Sequence, residues 1–231
     1  MRALRLLPLF LLVAVSSGWA GDPNALTPAE RAAGWKLLFD GRTLDGWRSL
    51  KSPQPGEGWR VADGAVSLVA AKAGDLVSVG DYGDFEFTFE WKVTTAANSG
   101  VIYRVGLEAA QTYRTGPEYQ VLDNAQAEDN HPASHRAGAL YDLAGTEQDF
   151  TRPVGEWNAA RIVVRGWHVE HWLNGRKVAD LDLAGAEGRA RLAASKFRDW
   201  PEFASLSRGH LALQDHGHPV SFRALKLREL K

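Results

Sequence analysis

Cysteine is absent from all 231 residues, and methionine occurs once. The missing cysteine excludes a disulfide framework, a zinc site of the cysteine type and a lipid-modified cysteine behind a leader. Excess charge is missing as well. The 27 Lys and Arg against 28 Asp and Glu leave a formal net charge of −1, so there is no electrostatic case for nucleic acid or an anionic membrane. Beyond residue 20 no run stays apolar for the roughly 18 residues of a helical span, so the mature chain is expected to leave the membrane. There is little helical periodicity, and no internal repeat, serine elbow, P-loop or dinucleotide-binding glycine pattern.

What is present begins with a leader. Arg2 and Arg5 precede an apolar run, Leu6 to Val15, and small residues Gly18 and Ala20 follow. This order predicts a signal peptide over 1–20, cleaved after Ala20, and a periplasmic or secreted product. Residues 21–34 are polar and rich in Pro and Ala, and read as a linker or a loosely docked N-terminal arm. Residues 35–231 then form one domain, a length that an all-β domain can reach alone. Nine Trp, nine Phe and five Tyr supply its core.

Short runs of period two fill that domain. Phe85, Phe87, Phe89, Trp91 and Val93 alternate with Glu86, Thr88, Glu90 and Lys92, the pattern of a strand with one buried and one wet face. Asp63-Gly64 and Asn174-Gly175 mark tight hairpins. Further strands are expected at 59–62, 65–68, 100–105, 117–122, 138–142, 156–165, 168–173, 176–182, 209–215 and 220–230. Residues 184–207 read as a long loop with a short helix. The sum is an all-β, jelly-roll β-sandwich.

Strand parity selects a functional face, because alternate side chains of a strand share a side. Leu211 and Leu213 take core parity, which leaves Gln214 and His216 opposite. The same reading pairs Glu118 with Gln120, against Tyr119 and Val121, and turns Arg104 away from Tyr103. One acid, one base, one imidazole and two amides form an inventory suited to sugar hydroxyls. An ordinary solvated sheet face is the bland alternative. His171 shares parity with Val169 and Leu173 and reads as a hydrogen-bonded core histidine. Trp172, on the other face, could stack on a sugar or simply pack. His131 and His135 have the spacing of two helical metal ligands, but Pro132 argues for a loop; Asp123, Glu128 and Asp129 lack the ordered spacing of a calcium loop.

At these residues a family resemblance emerges. GWKLLFDGRTLDGWR (34–48), NSGVIYR, GPEYQVLDN, AGALYDL, GEWN, HWLNGRKV and GHLALQDHGHPVSFRALKL, in that order, resemble the 3-keto-disaccharide hydrolase family over about 35–230. The resemblance implies a concanavalin A-like jelly roll with a sugar site on its concave sheet, acting on glycosides oxidised at carbon 3. A ketone there acidifies the hydrogen on carbon 2, so an acid and a base can cleave the glycoside by elimination and hydration. Glu118 and His216 are the candidate base and acid, in either order. Arg104, Tyr141, Lys196 and Gln214 are candidate donors to the enolate or to hydroxyls, and Asn98, Gln120, His135 and Asp215 complete the substrate-binding set. The partner implied is a carbohydrate; the resemblance fixes no cofactor and leaves room for a divalent metal. The alternative is a non-catalytic, lectin-like module, since fold does not fix function.

Overall fold

The computed structural model describes residues 21–231, so the expected leader and its cleavage after Ala20 lie outside the described residues. In chain order the strands are β1 (Lys36–Leu37), β2 (Trp47–Ser49), β3 (Trp59–Ala62), β4 (Ala65–Leu68), β5 (Leu76–Tyr82), β6 (Phe85–Val93), β7 (Asn98–Val105), β8 (Glu118–Leu122), β9 (Asn158–Arg165), β10 (His168–Leu173), β11 (Arg176–Asp182), β12 (Gly209–Leu213) and β13 (Val220–Glu229). They form two antiparallel sheets. One runs β11-β10-β9-β6-β13-β4-β3 with β1 beside β13; the other runs β2-β5-β12-β7-β8. This is the all-β sandwich expected from the period-two runs.

The core lies between the sheets. Phe85, Phe87, Phe89 and Trp91 of β6 are at most 1% exposed, and Phe89 meets the edge of Tyr119 with ring centroids 5.3 Å apart. Truncating such a side chain costs about 3–5 kcal/mol. His171 is fully buried among them, as its parity implies. Its Nδ1 lies 3.1 Å from the Gly138 carbonyl, which can only accept, so Nδ1 carries the proton and Nε2 accepts from the Tyr103 hydroxyl at 3.1 Å. Burial holds this imidazole neutral, with a pKa lowered to about 4.

Both hairpin signals are realised. Asp63-Gly64 and Asn174-Gly175 have positive φ at each residue, the backbone that a two-residue turn between twisted strands needs. One expected strand is not formed. Residues 138–142 make only isolated bridges, because Gly138 and Asp142 take positive φ and break the run at both ends. Strand β5 carries no period-two signal, since Leu76, Val77 and Ser78 are all buried where both faces of its sheet are covered. The segment at 184–207 contains α2 (Ala186–Ala194) and a 3₁₀ turn, Lys196–Asp199.

The arm at 21–34 is fixed to the domain. Thr27 and Glu30 form a capping box on α1 (Pro28–Ala32). Buried Asn24 donates to the Gly64 carbonyl (2.8 Å) and accepts from the Ala224 N–H (2.9 Å). Among the described residues, no helix is long and apolar enough to cross a membrane.

Candidate active site

The outer face of the five-stranded sheet holds the site. Glu118 and Gln120 point outward from β8, Asn98 from β7 and Gln214 from the chain just past β12, where the Gln214 N–H donates to the Gly100 carbonyl at 2.9 Å. Gly100 pairs with Gln120 across the strands, and a Cβ built there would collide with the Glu118 carboxyl. Glycine at that position is what lets the carboxyl lie flat on the sheet. Glu118, Gln120, Asn98, Gln214 and His216 line one cavity of about 400 Å³. Parity therefore brings these residues together.

The floor is buried and incompletely satisfied. Gln120 is 1%, Gln214 7% and Glu118 8% exposed, and the Oε1 atoms of both glutamines have no hydrogen-bond partner. The Gln120 amide donates to Asn98 Oδ1 at 3.4 Å, which orients its unpaired oxygen. An unpaired buried acceptor costs about 1–3 kcal/mol, and a ligand hydroxyl would relieve it. Burial is the main force on Glu118, raising its pKa to about 8; Lys196 pulls it down, while the charges of Asp75 and Asp129 push it up. Asp75, partly buried behind the site, is itself raised by burial.

Loops build the walls. The Tyr141 hydroxyl donates to Asp129 Oδ2 at 2.7 Å, and the Lys196 ammonium lies 4.1 Å over the Tyr141 ring. Burial, then the bond to Asp129, holds the Tyr141 proton well above the usual phenol range. Phe197, Trp200 and Tyr113 form an aromatic side, with Trp200 and Tyr113 centroids 6.0 Å apart. These aromatics and Asp129 escape a parity argument because they sit on loops and 3₁₀ turns, outside the strands. The weak signal for them is the Phe197/Trp200 spacing beside Lys196. Asp129 adds a second carboxylate to the one acid that strand parity offers.

Three expected site residues lie elsewhere. Arg104 is turned away from the cleft: Tyr103 and Arg104 together stand opposite Leu211, a β-bulge, and Arg104 has φ of 56°. Its guanidinium donates to the Gly83 carbonyl and to Asp84, both at 3.2 Å. His135 lies behind the wall, stacked 4.4 Å from Tyr141, with Nδ1 2.6 Å from Asp129 and Nε2 3.0 Å from Asp142. Asp215 staples a loop by accepting from the Gly74 N–H (3.0 Å) and the Gly217 N–H (2.9 Å).

The weak metal signals find other uses. His135 ends a 3₁₀ turn after Pro132, and Asp123 accepts from the backbone of Ala96 and Ala125 at 2.8 and 3.0 Å. Among the described residues, only His168, Glu170 and Asp180 bring three such ligand atoms within 4.8 Å of one another. They sit on the other sheet, where Lys177 pairs with Glu170 at 3.2 Å and Asp180 at 2.7 Å. Trp172, on that same face, stacks between Arg161 and Lys177, each 5.2 Å from its ring, and so packs.

Known proteins of this shape and sequence agree with the motifs. Residues 34–228 match the family model described as the 3-keto-alpha-glucoside-1,2-lyase-like domain. The chain belongs to this family. It is 30% identical to a 3-keto-disaccharide hydrolase of Bacteroides thetaiotaomicron, over 91% of this chain and 83% of the relative. A crystal structure from Parabacteroides distasonis, described as a proposed glycosyl hydrolase, is 30% identical with a TM-score of 0.84, covering 90% of this chain and 99% of that one. The carbohydrate-binding module CBM66 of Bacillus subtilis, 13% identical with a TM-score of 0.50 over 80% and 96% of the two chains, shares the fold alone.

Proposed function

We propose that the protein cleaves glycosides carrying a ketone at carbon 3, by elimination followed by hydration. One observation carries the reading: a buried carboxyl, Glu118, and an imidazole, His216, line the same cleft over amide oxygens that lack partners. The family description names a lyase and the Bacteroides relative is named a hydrolase. Elimination with later hydration joins the two names in one reaction.

Glu118 is the base in this scheme. A hydrogen next to a ketone is a weak acid, and a desolvated carboxylate is a better match for it than a solvated one. With a pKa of about 8, roughly a tenth of Glu118 is ionised at pH 7. The carboxylate takes the proton from carbon 2, and the electron pair passes into an enolate on the carbon-3 oxygen, beside the Lys196 ammonium. The enolate collapses by expelling the oxygen on carbon 1, which takes its proton from protonated His216. Water then adds to carbon 1 of the resulting enone, and a proton returns to carbon 2. Asp129 is not the partner of a two-carboxylate mechanism here, because Tyr141 and His135 occupy its oxygens.

Turnover of a 3-keto-glycoside in heavy water tests the reading. Deuterium is expected at carbon 2 of the released 3-keto sugar beyond what the sugar acquires unaided, and the unoxidised parent is expected to be inert. Equal cleavage of the parent without label would replace elimination by ordinary hydrolysis. Binding without turnover of either would favour a lectin-like module, to which the Tyr113, Phe197 and Trp200 side is also suited. The proposal places the enzyme outside the cytoplasm, on the strength of the basic, then apolar, leader; the intact mass of protein exported by its host checks that.

A further inference from the structure

The cleft continues past His216. A second cavity of about 500 Å³ adjoins the first, and Asn98, Asp129, Tyr141 and His216 line both. Each chamber falls in the range of about 300–1,000 Å³ usual for small-molecule sites. Their chemistry differs. Glu118, the two glutamines and the aromatic side belong to the first chamber alone, while the second adds Glu128 and His218 between the small side chains of Ala96 and Ala127.

We propose that the second chamber is a leaving-group subsite that takes a hydroxylated unit, a second sugar, and that Glu128 and His218 set this preference. The inference rests on the elimination reading. The ring that loses its carbon-2 proton must lie against Glu118, in the first chamber. The bond to carbon 1 then breaks beside a group common to both chambers, and His216 is the one proposed to protonate it. The departing group therefore lies beyond His216.

The walls there suit hydroxyls. Glu128 is exposed and offers carboxylate acceptors. His218 accepts the Asn98 N–H on Nδ1 at 3.4 Å, so in the neutral ring Nε2 carries the proton and donates. A sugar hydroxyl both donates and accepts, and so satisfies such a pair. An apolar aryl group does neither, and it leaves both groups without a partner.

Steady-state kinetics with two substrates of the same 3-keto-glucosyl unit test this: a 3-keto-disaccharide and a phenyl 3-keto-glucoside. In Glu128→Ala, and separately in His218→Ala, the ratio of kcat/KM for the disaccharide to that for the aryl glucoside is expected to fall about fivefold, the worth of one hydrogen bond. The fall is expected in KM, with kcat for the disaccharide retained. If both variants treat the two substrates alike while the wild type cleaves both, the subsite is refuted and the elimination site stands. If the wild type cleaves neither, the reading of the site fails and takes the subsite with it.

Discussion

The outer faces of the two sheets are built from similar polar residues and differ in how those residues are paired. On the eight-stranded sheet, Glu86 accepts from Arg161 at 2.5 Å and from Arg228 at 2.8 Å, and Glu90 accepts from Arg223 at 2.7 Å. Lys226 closes the set on Glu30 at 2.9 Å. On the five-stranded sheet, two amide oxygens are buried without partners and a carboxyl is buried without a matching guanidinium. The first face is complete in itself. The second is a surface whose hydrogen-bonding capacity a substrate would complete, at the cost of stability in the protein alone.

The sharpest break of this comparison is at the proposed acid and base. Glu118→Gln and His216→Ala are each expected to lower kcat on a 3-keto-glycoside by about 10²- to 10⁴-fold, with KM little changed, since proton transfer acts in the transition state. Near-wild-type kcat in both variants would remove the assignment.

The same glutamate should oppose stability to activity. Its folded pKa is raised from 4.5 to about 8, so the folded state binds the proton more tightly across that window. The associated stability is fully present below about pH 4.5 and is lost as pH rises through about 8. Glu118→Gln is therefore expected to gain stability over the wild type between pH 5 and 9, by on the order of 4 kcal/mol, in denaturant melts at both pH values. Because turnover needs a carboxylate at Glu118 and a proton on His216 in the same enzyme form, kcat/KM of the wild type is expected to be bell-shaped in pH. A profile that climbs without turning over would remove His216 as the acid.

A smaller effect is expected at Gln120→Leu. Removing the unpaired buried oxygen should raise stability by about 1 kcal/mol and raise KM about fivefold through the lost hydroxyl contact. Lower stability would show that the oxygen is already satisfied. The smallest effect belongs to the other face. A double-mutant cycle on Glu90 and Arg223, both about a third exposed or less, should give a coupling below about 1 kcal/mol, with kcat unchanged. A loss of turnover there would mean that the two faces are not independent.

Much of the site could be read from the chain because strand parity is a local property. Glu118 and Gln120 oppose Tyr119 and Val121, and Gln214 opposes Leu213, whatever the rest of the fold does. Parity misled at Arg104, where one extra residue on β7 shifts the phase and φ turns positive. A bulge is chosen by the pairing of two strands, and neither strand announces it. His135 and Asp215 misled for another reason: their residue types suit a sugar site, but neighbouring backbone and carboxylates already use them. Asp129, Tyr113, Phe197 and Trp200 reach the cleft from loops and single 3₁₀ turns, too short or irregular for a period to follow.

Composition, alternation and turn residues by themselves determined an all-β sandwich, a core of aromatic strands, the two-residue hairpins and the polar parity of β8 and of the chain leaving β12. Each depends on the side-chain direction of a residue and its immediate neighbours. Tertiary structure alone decided that Glu118 is buried over Gly100, that its proton is held towards pH 8, that the arm at 21–34 is pinned by Asn24, and that two cavities meet at His216. These are matters of desolvation and enclosure. They arise when strands distant in sequence are brought side by side, and no local pattern of residues encodes how much water is left between them.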